Sequence, residues 1–214
     1  MLKTHHNLIV VRFFIEKKGL FIYNHNKEYV RTKKGEFIME FVHPIYDKED
    51  ISRMRKALKK QVNGDRNLLF FELGIATALR PGDLLKLTVK DVKNGVVEGR
   101  SQKRGKKFEI RLNDRVFNLV KAYIDSMEDV EMLFPIDRST VNRFLKKAAK
   151  ECFIEENIAG HSLRKTKAFH LYVDSGFDIS LVMDLLQHDE VGSTLHYIGW
   201  KKQEMDEKLS NHDL

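Results

Sequence analysis

From residue 44 onward, apolar residues recur mostly at the spacing of an α-helix. Ile51, Met54 and Leu58 form one such stripe behind Asp47, a residue type that caps helices well. The same pattern predicts six further helices, over residues 65–79, 81–87, 113–127, 139–153, 161–176 and 178–188. The predicted N-caps of three of these helices are Asn113, Ser139 and Asp178. The helix over 65–79 is apolar on nearly every face, which is typical of a central helix.

Two segments break the helical pattern and favour β-hairpins. Residues 95–100 and 106–112 flank a basic turn around Gly105 and carry residue types common in strands. Residues 8–24 are β-branched and aromatic around a Lys-Lys-Gly turn that ends at Gly19, which indicates a second hairpin. The sequence therefore predicts an α+β fold that is mainly α, with a helical body and a small antiparallel sheet.

The same patterns divide the chain into three parts. Residues 1–43 are too short for an ordinary independent domain, so we predict a short basic N-terminal extension. Residues 44–200 form the predicted helical body. Residues 201–214 are a polar tail, for which a docking helix and a frayed terminus are the two interpretations.

The composition is that of a globular protein. Of the 214 residues, 42% are hydrophobic and 32% are charged, which excludes a disordered chain. The most apolar early run, residues 7–15, is interrupted by Arg12 and is too short to cross a bilayer. Cys152 is the only cysteine, so no internal disulfide forms and a reducing cytoplasm is the expected location. The Cys and His residues lack metal-ligand spacing, so we expect neither a metal nor a cofactor.

The formal net charge of +7 is unevenly distributed. Residues 1–38 hold eight Lys and Arg against three Glu, and residues 93–111 hold seven against two. A basic ridge on a nearly neutral body suits a polyanion, so double-stranded DNA is the expected partner. Lysines in a solvated hairpin that serve solubility alone are the alternative. The candidate DNA contacts are Arg100, Arg104, Lys106, Lys107 and Lys165.

Six other side chains are candidates for chemistry. They are Arg80, Lys103, His161, Arg164, His188 and Tyr197. Arg80 follows an apolar helix directly before a proline and needs an anionic partner, which Asp83 would also provide. His161 and Arg164 lie three residues apart on one face of a predicted helix start. Each residue of the set has an ordinary structural explanation, but the whole set together favours one chemistry.

That chemistry is attack on a phosphodiester. Two arginine forks grip the non-bridging oxygens and stabilise the charge that develops at phosphorus. A tyrosine is the nucleophile, although its hydroxyl has a pKa of about 10 and needs help to ionise. A lysine or a histidine protonates the leaving 5′ oxygen.

The set resembles the catalytic domain of the tyrosine recombinases, the phage-integrase family. "LRPGDLLKL" around Arg80 resembles the family's first arginine motif, and "HSLR" resembles its His-x-x-Arg. "LLQHDEVGSTLHY" resembles its Leu-Gly-His motif followed by Tyr nine residues later. Lys103 in "QKRGKK" matches the family's hairpin lysine. The resemblance covers residues 44–200 with the motifs in the family's order.

The resemblance implies a site-specific recombinase or integrase of a mobile element. Tyr197 would form a 3′-phosphotyrosyl link and release a 5′ hydroxyl, with Lys103 as the acid and the Arg and His residues around the phosphate. The link conserves bond energy, so rejoining would need neither ATP nor a metal. The segment after the Tyr often docks on a neighbouring protomer in the family, which implies a homo-oligomer, a tetramer, on DNA.

The chain departs from the family at three points. Ala78 and Gln187 stand where the family usually has Gly. Typical members also carry an N-terminal DNA-clamping domain of about a hundred residues. Only 43 residues precede the body here, so an accessory DNA-binding protein is a candidate partner. The alternatives are a type IB topoisomerase-like strand transferase and a non-catalytic DNA-binding module of a degenerate integrase.

Overall fold

The computed structural model describes residues 29–31, 37–39, 41–102, 105–188 and 190–198. The chain divides into two compact units, Met1–Phe41 and Val42–Leu214. In the first unit, β1 (Tyr29–Arg31) and β2 (Phe37–Met39) pair in antiparallel register. The hairpin predicted around Gly19 lies outside the described residues.

The second unit consists of helices and one hairpin. In chain order its helices are α1 (Lys48–Lys59), α2 (Gly64–Thr77), α3 (Pro81–Leu84), α4 (Asp114–Ile124), α5 (Arg138–Glu151), α6 (Gly160–Asp174), α7 (Ile179–Leu186) and α8 (Val191–Tyr197). A 3-10 turn (Val89–Asp91) precedes the antiparallel pair β3 (Val96–Arg100) and β4 (Lys107–Arg111). No helix within the described ranges is long and apolar enough to cross a membrane. The predicted α+β fold, mainly α with a small antiparallel sheet, is confirmed.

The helices follow the predicted pattern with two differences. The seven helices predicted from the periodicity are all present, and the predicted N-caps of α1, α4 and α7 are confirmed. The N-cap of α5 is Asp137 rather than Ser139, because the Asp137 carboxylate accepts the Thr140 backbone N–H at 2.8 Å. The sequence analysis did not predict α8, the helix that carries Tyr197.

Most buried apolar side chains belong to one cluster, the main core, to which α1, α2, α4 and α5 all contribute. Phe70 of α2 is fully buried there. Its ring lies edge-on to Phe134, with 5.0 Å between centroids, and to Phe144, with 5.9 Å. The nearly continuous apolar sequence of α2 therefore reflects its central position, as predicted.

The central helix α2 also carries a buried carboxylate. Glu72 is 1% exposed and accepts hydrogen bonds from Arg55 Nε at 2.6 Å and from both Nη atoms of Arg115 at 2.7 Å. Burial by itself would raise the pKa of Glu72, but the hydrogen bonds and charges of Arg115 and Arg55 outweigh it, and the pKa is lowered. The pairing compensates a charge that would be costly to bury alone, and it links α1, α2 and α4.

A second, smaller group of buried side chains lies toward the C-terminal end of the unit. This C-terminal cluster consists of Ala168, Tyr172, Val182, Leu186, Tyr197 and Ile198. Its members come from the second half of α6, from α7 and from the end of α8. Tyr197 thus belongs to the packing of this cluster as well as to the candidate site.

Candidate active site

Arg80 stands at the turn between α2 and α3. α2 ends at Ala78, which has a left-handed backbone (φ 53°), and its N–H donates to the Gly74 carbonyl at 3.1 Å. The chain is extended again at Arg80, and Pro81 begins α3. The Arg80 side chain is half-buried, and its Nη1 donates to Ser101 Oγ at 3.4 Å, a long contact. Most of its hydrogen-bonding capacity is therefore available to a ligand.

Asp83 was the alternative partner that the sequence offered for Arg80. Its carboxylate instead accepts the backbone N–H of Gln102 at 3.0 Å. The Gln102 side chain also donates to the Gly82 carbonyl on α3. These bonds fix the end of β3 against the helix that follows Arg80.

Arg164 lies on α6 and joins three parts of the site. It is 5% exposed, its Nη1 donates to the Ala78 carbonyl, and its Nη2 donates to the Leu186 carbonyl at 2.8 Å. Its charge also acts on the Tyr197 hydroxyl and opposes the rise of that group's pKa. Burial lowers the pKa of Arg164, but an arginine remains charged at neutral pH. One guanidinium therefore links the turn before Arg80 to the end of α7 and lies within electrostatic reach of Tyr197 on α8.

His161 lies in the first turn of α6, one turn before Arg164. Its Nδ1 is buried and has no hydrogen-bond partner among the residues that the structure describes. Burial, followed by the charges of Arg138, Arg164, Lys165 and Arg80, lowers the pKa of His161 to about 4. The imidazole is therefore neutral at physiological pH, and four cations lie within electrostatic reach of it.

His188 and Tyr197 pack against each other. Gln187, which ends α7, has a left-handed backbone (φ 53°), and this turn directs the chain to His188. The His188 ring is perpendicular to the Tyr197 ring, with 5.3 Å between centroids, and its Nδ1 lies 3.2 Å from Thr194 Oγ1. Burial raises the pKa of Tyr197, while the charges of Arg164 and Arg80 and the hydrogen bond from Arg164 act against that rise.

Five of the six predicted catalytic residues thus meet in one place. They are Arg80, His161, Arg164, His188 and Tyr197. Lys103 and Arg104 lie outside the described residues. Among the predicted DNA contacts, Arg100, Lys106 and Lys107 are exposed on the hairpin, where Arg100 pairs with Lys107 in the β3–β4 register.

Lys165 corrects one prediction. It was predicted to contact DNA, but it is fully buried, and its Nζ donates to the Val42 carbonyl at 2.8 Å. A side chain with no exposed surface cannot reach a phosphate, so the prediction is wrong for this conformation. The sequence misled because lysine is almost always an exposed residue type.

Arg138 is a site residue that the sequence analysis missed. It is the exposed first residue of α5, and a Cβ on Gly82 would lie 2.5 Å from its Nη2. Among the charges that lower the pKa of His161, that of Arg138 has the largest effect. Its guanidinium therefore lies over α3, beside the site. The only signal in the sequence was an arginine directly after the N-cap position of a helix.

The described residues offer no place for a metal ion. No group of three or more His, Cys, Asp or Glu side chains within those ranges is placed to hold one. What the site collects is positive charge around a phenol, a donor set that suits a phosphate ester.

Comparisons with known proteins agree with this geometry. The sequence model of the phage integrase family matches residues 45–204. A probable integrase/recombinase of Bacillus subtilis, YoeC, is 34% identical over 169 residues, which cover 75% of this chain and 91% of that protein. The tyrosine recombinase XerD of Staphylococcus saprophyticus is 26% identical, and the match spans 68% of this chain but 54% of that protein. The chain therefore spans about half the length of that relative.

A solved structure shows the same fold. The crystal structure of XerA recombinase superposes with a TM-score of 0.63 at 23% identity, over 80% of this chain and 65% of that one.

Proposed function

This chain belongs to the phage integrase family, and from that premise we propose that it is a site-specific DNA recombinase that cuts and rejoins DNA through Tyr197. The observation that supports this most directly is that the charges of Arg164 and Arg80 both act on the buried Tyr197 hydroxyl and oppose the rise of its pKa. A nucleophile and two phosphate-binding cations from distant parts of the sequence share one site. Packing alone does not require this grouping.

The scissile phosphate binds between the two arginines. Arg80 contributes a half-buried fork with a single long internal contact. Arg164 has five N–H donors, and those not used by the Ala78 and Leu186 carbonyls serve Tyr197 and the phosphate. Both forks stabilise the negative charge that develops on the phosphate oxygens in the transition state.

Cleavage is a transfer of the phosphoryl group from DNA to tyrosine. The Tyr197 oxygen forms a bond to phosphorus while the bond from phosphorus to the 5′ oxygen breaks. Lys103, assigned from its motif, protonates the leaving 5′ oxygen. Gln102, the residue before Lys103, is held against α3, close in the chain to Arg80. Rejoining is the reverse attack by a 5′ hydroxyl, and no external energy source is consumed.

His161 and His188 complete the surroundings of the phosphate. A neutral His161 keeps the capacity to accept a proton while the Tyr197 hydroxyl is deprotonated, which an imidazolium would lack. His188 packs on the Tyr197 ring and contacts the phosphate next to the arginines.

The proposed partner is double-stranded DNA in the cytoplasm. The exposed cations Arg100, Lys106, Lys107 and Arg138 bind backbone phosphates around the scissile one. Exchange between two sites, each with two cleavage points, requires four nucleophiles, so the active assembly is a homotetramer on DNA.

The test is covalent capture on a nicked suicide substrate, scored as a protein–DNA adduct on a denaturing gel. The wild-type chain should form the adduct. Tyr197→Phe should bind DNA equally well and form none, because only the nucleophilic oxygen is removed.

Tyr172→Phe is the matched control. Tyr172 and Tyr197 are both 8% exposed and belong to the same C-terminal cluster, so the control variant should still form the adduct. An adduct with the Tyr197 variant would reject the assignment. DNA binding by a wild-type chain that forms no adduct would indicate a non-catalytic module instead.

A further inference from the structure

Lys165 occupies an unusual position for a lysine. It follows Arg164 on α6 and is fully buried. Its Nζ donates to the Val42 carbonyl at 2.8 Å and lies 5.1 Å from the centroid of the Tyr197 ring. The ammonium therefore contacts the first residue of the second unit and the proposed nucleophile at once.

Packing alone does not explain a lysine at this position. Burying an ammonium carries a large desolvation cost, and burial lowers the pKa of Lys165 to about 7. An apolar side chain of similar length would fill the same space without that cost. What the ammonium adds is an attraction to the face of an aromatic ring, which is strongest when the charge is desolvated.

We propose that Lys165 is the positioning residue of Tyr197, because its ammonium holds the phenol ring in place while the charge of Arg164 acts on the hydroxyl. The inference rests on the proposed function, in which Tyr197 is the nucleophile. We assign Lys165 to Tyr197 rather than to the phosphate, since it is fully buried and its Nζ lies over the ring while donating to the Val42 carbonyl. Its effect on cleavage is therefore exerted through the position of Tyr197.

The attraction of Lys165 to the Tyr197 ring requires the protonated, positively charged form of its amine. With a pKa of about 7, Lys165 is charged at pH 6 and neutral at pH 8.5. The titratable groups around it are Arg164 and His161 on α6, Tyr197 on α8 with His188 beside it, and His43, which follows Val42. Lys165 should therefore position the Tyr197 ring less firmly as the pH rises through about 7.

The first measurement is hydrogen exchange of the α8 amides in the full chain, corrected for intrinsic rates, at pH 6 and pH 8.5. In the wild type, α8 should be better protected at pH 6. Lys165→Met should exchange faster than the wild type at pH 6 and at the same rate at pH 8.5. Equal protection of wild-type α8 at both pH values would overturn the proposal, and this comparison needs no variant to fold.

The second measurement is the single-turnover rate of adduct formation. The ratio of the wild-type to the Lys165→Met rate should be about tenfold at pH 6 and approach one at pH 8.5, because other titrations cancel in the ratio. A ratio that does not change with pH would mean a purely structural role and would reject the inference. Lys167→Met, on the same helix, removes the same charge and should keep the wild-type rate.

The two measurements separate this inference from the proposed function. If the wild type forms no adduct while its α8 protection changes with pH as expected, the recombinase assignment fails and the contact between Lys165 and Tyr197 remains. If the adduct forms but Lys165→Met leaves α8 protection unchanged, the positioning role fails and the recombinase assignment stands.

Discussion

The main core and the C-terminal cluster support different parts of the candidate site, and they differ in how many buried side chains they contain. Among the described residues, the main core contains twenty-seven buried side chains and the C-terminal cluster six. The main core also contains the Glu72 ion pairs. Apolar side chains are exposed in both regions, for example Val62 and Phe153 beside the main core and Phe177 and Leu181 beside the C-terminal cluster.

The difference assigns different tasks to the two regions. Arg80 is fixed at the end of α2, in the main core, whereas Tyr197 lies on a seven-residue helix of the C-terminal cluster. Segments that bury little apolar area unfold locally at a lower free-energy cost than segments at the centre of a fold. We therefore expect the part of the site around Arg80 to open less readily than α8, where Tyr197 contacts Lys165 and His188 and packs in the C-terminal cluster.

The largest expected effect comes from truncating one side chain in each region. Phe70→Ala should lower the free energy of unfolding of the whole unit by about 3–5 kcal/mol, because a cavity opens beside the rings of Phe134 and Phe144. Val182→Ala should cost about 1–2 kcal/mol and should speed hydrogen exchange chiefly in α7 and α8. Urea unfolding and hydrogen exchange test the pair. Equal losses, with uniform exchange in both variants, would contradict the distinction between the regions.

The two arginines provide the next comparison. Arg80→Lys and Arg164→Lys should each slow adduct formation about a hundredfold or more, because a lysine keeps the charge but loses the fork. Only Arg164→Lys should also lower the melting temperature, by an amount equivalent to about 1–3 kcal/mol, because the Ala78 and Leu186 carbonyls lose their donor. Thermal unfolding beside single-turnover cleavage measures both effects. Wild-type cleavage by both variants would leave the arginines with structural roles only.

The pH dependence of stability should report on His161. Its folded-state pKa of about 4 lies below the ordinary value of 6.5, so the unfolded chain binds the proton more tightly. Stability is therefore complete above pH 6.5 and falls as the pH drops toward 4, by about 1–2 kcal/mol once partial exposure is allowed for. Urea midpoints for the wild type and His161→Gln check this. The variant should lose the part of the slope between these pH values, and an identical slope would contradict the neutral imidazole.

The smallest effect concerns two of the non-glycine residues with a left-handed backbone, Ala78 and Gln187, one beside each region. Gln187→Gly should stabilise the chain by about 1 kcal/mol, since glycine accepts a positive φ and the variant removes a buried Oε1 that has no partner within the described part of the chain. Ala78→Gly should be nearly neutral, because the lost burial of a methyl group, about 0.8 kcal/mol, offsets the relief of strain. The melting temperatures of the two variants, compared with that of the wild type, test both expectations. Destabilisation by Gln187→Gly would mean that its side chain has a partner when DNA is absent.

Much of the fold was predictable because the spacing of apolar residues along the chain indicates where most helices lie. The seven predicted helices have stripes or caps that fix their type before any tertiary contact forms. α8 escaped prediction because seven residues that include Gly192 show too little periodicity, and its helix depends on packing by Tyr197 and Ile198. Ser139 was predicted as the cap of α5 although the cap is Asp137, because both residue types cap well and only the geometry of the first turn separates them.

The candidate site was predictable in its residue types but not in its contacts. Arginine, histidine and tyrosine could be selected because the chemistry of a phosphodiester requires them. The bonds from Arg164 to carbonyls 86 and 22 residues away depend on how α2, α6 and α7 pack, which no local pattern encodes. The burial of Lys165 and the approach of Arg138 to Gly82 follow from the same packing.

Arg164 has a structural role as well as its proposed role in binding the phosphate. This combination has a consequence for the evolution of such proteins. If a copy of this chain were released from the need to cut DNA, substitution of Arg80 would remove the proposed activity at small cost to the fold, because its side chain makes only a long contact with Ser101. A substitution at Arg164 would also remove the hydrogen-bond donor of the Ala78 and Leu186 carbonyls. Selection for a folded protein alone would therefore retain Arg164. An inactive descendant should therefore still carry the arginine of "HSLR". Under the proposed mechanism, that arginine alone would indicate shared ancestry, whereas Arg80 and Tyr197 together with it would be expected in an active enzyme.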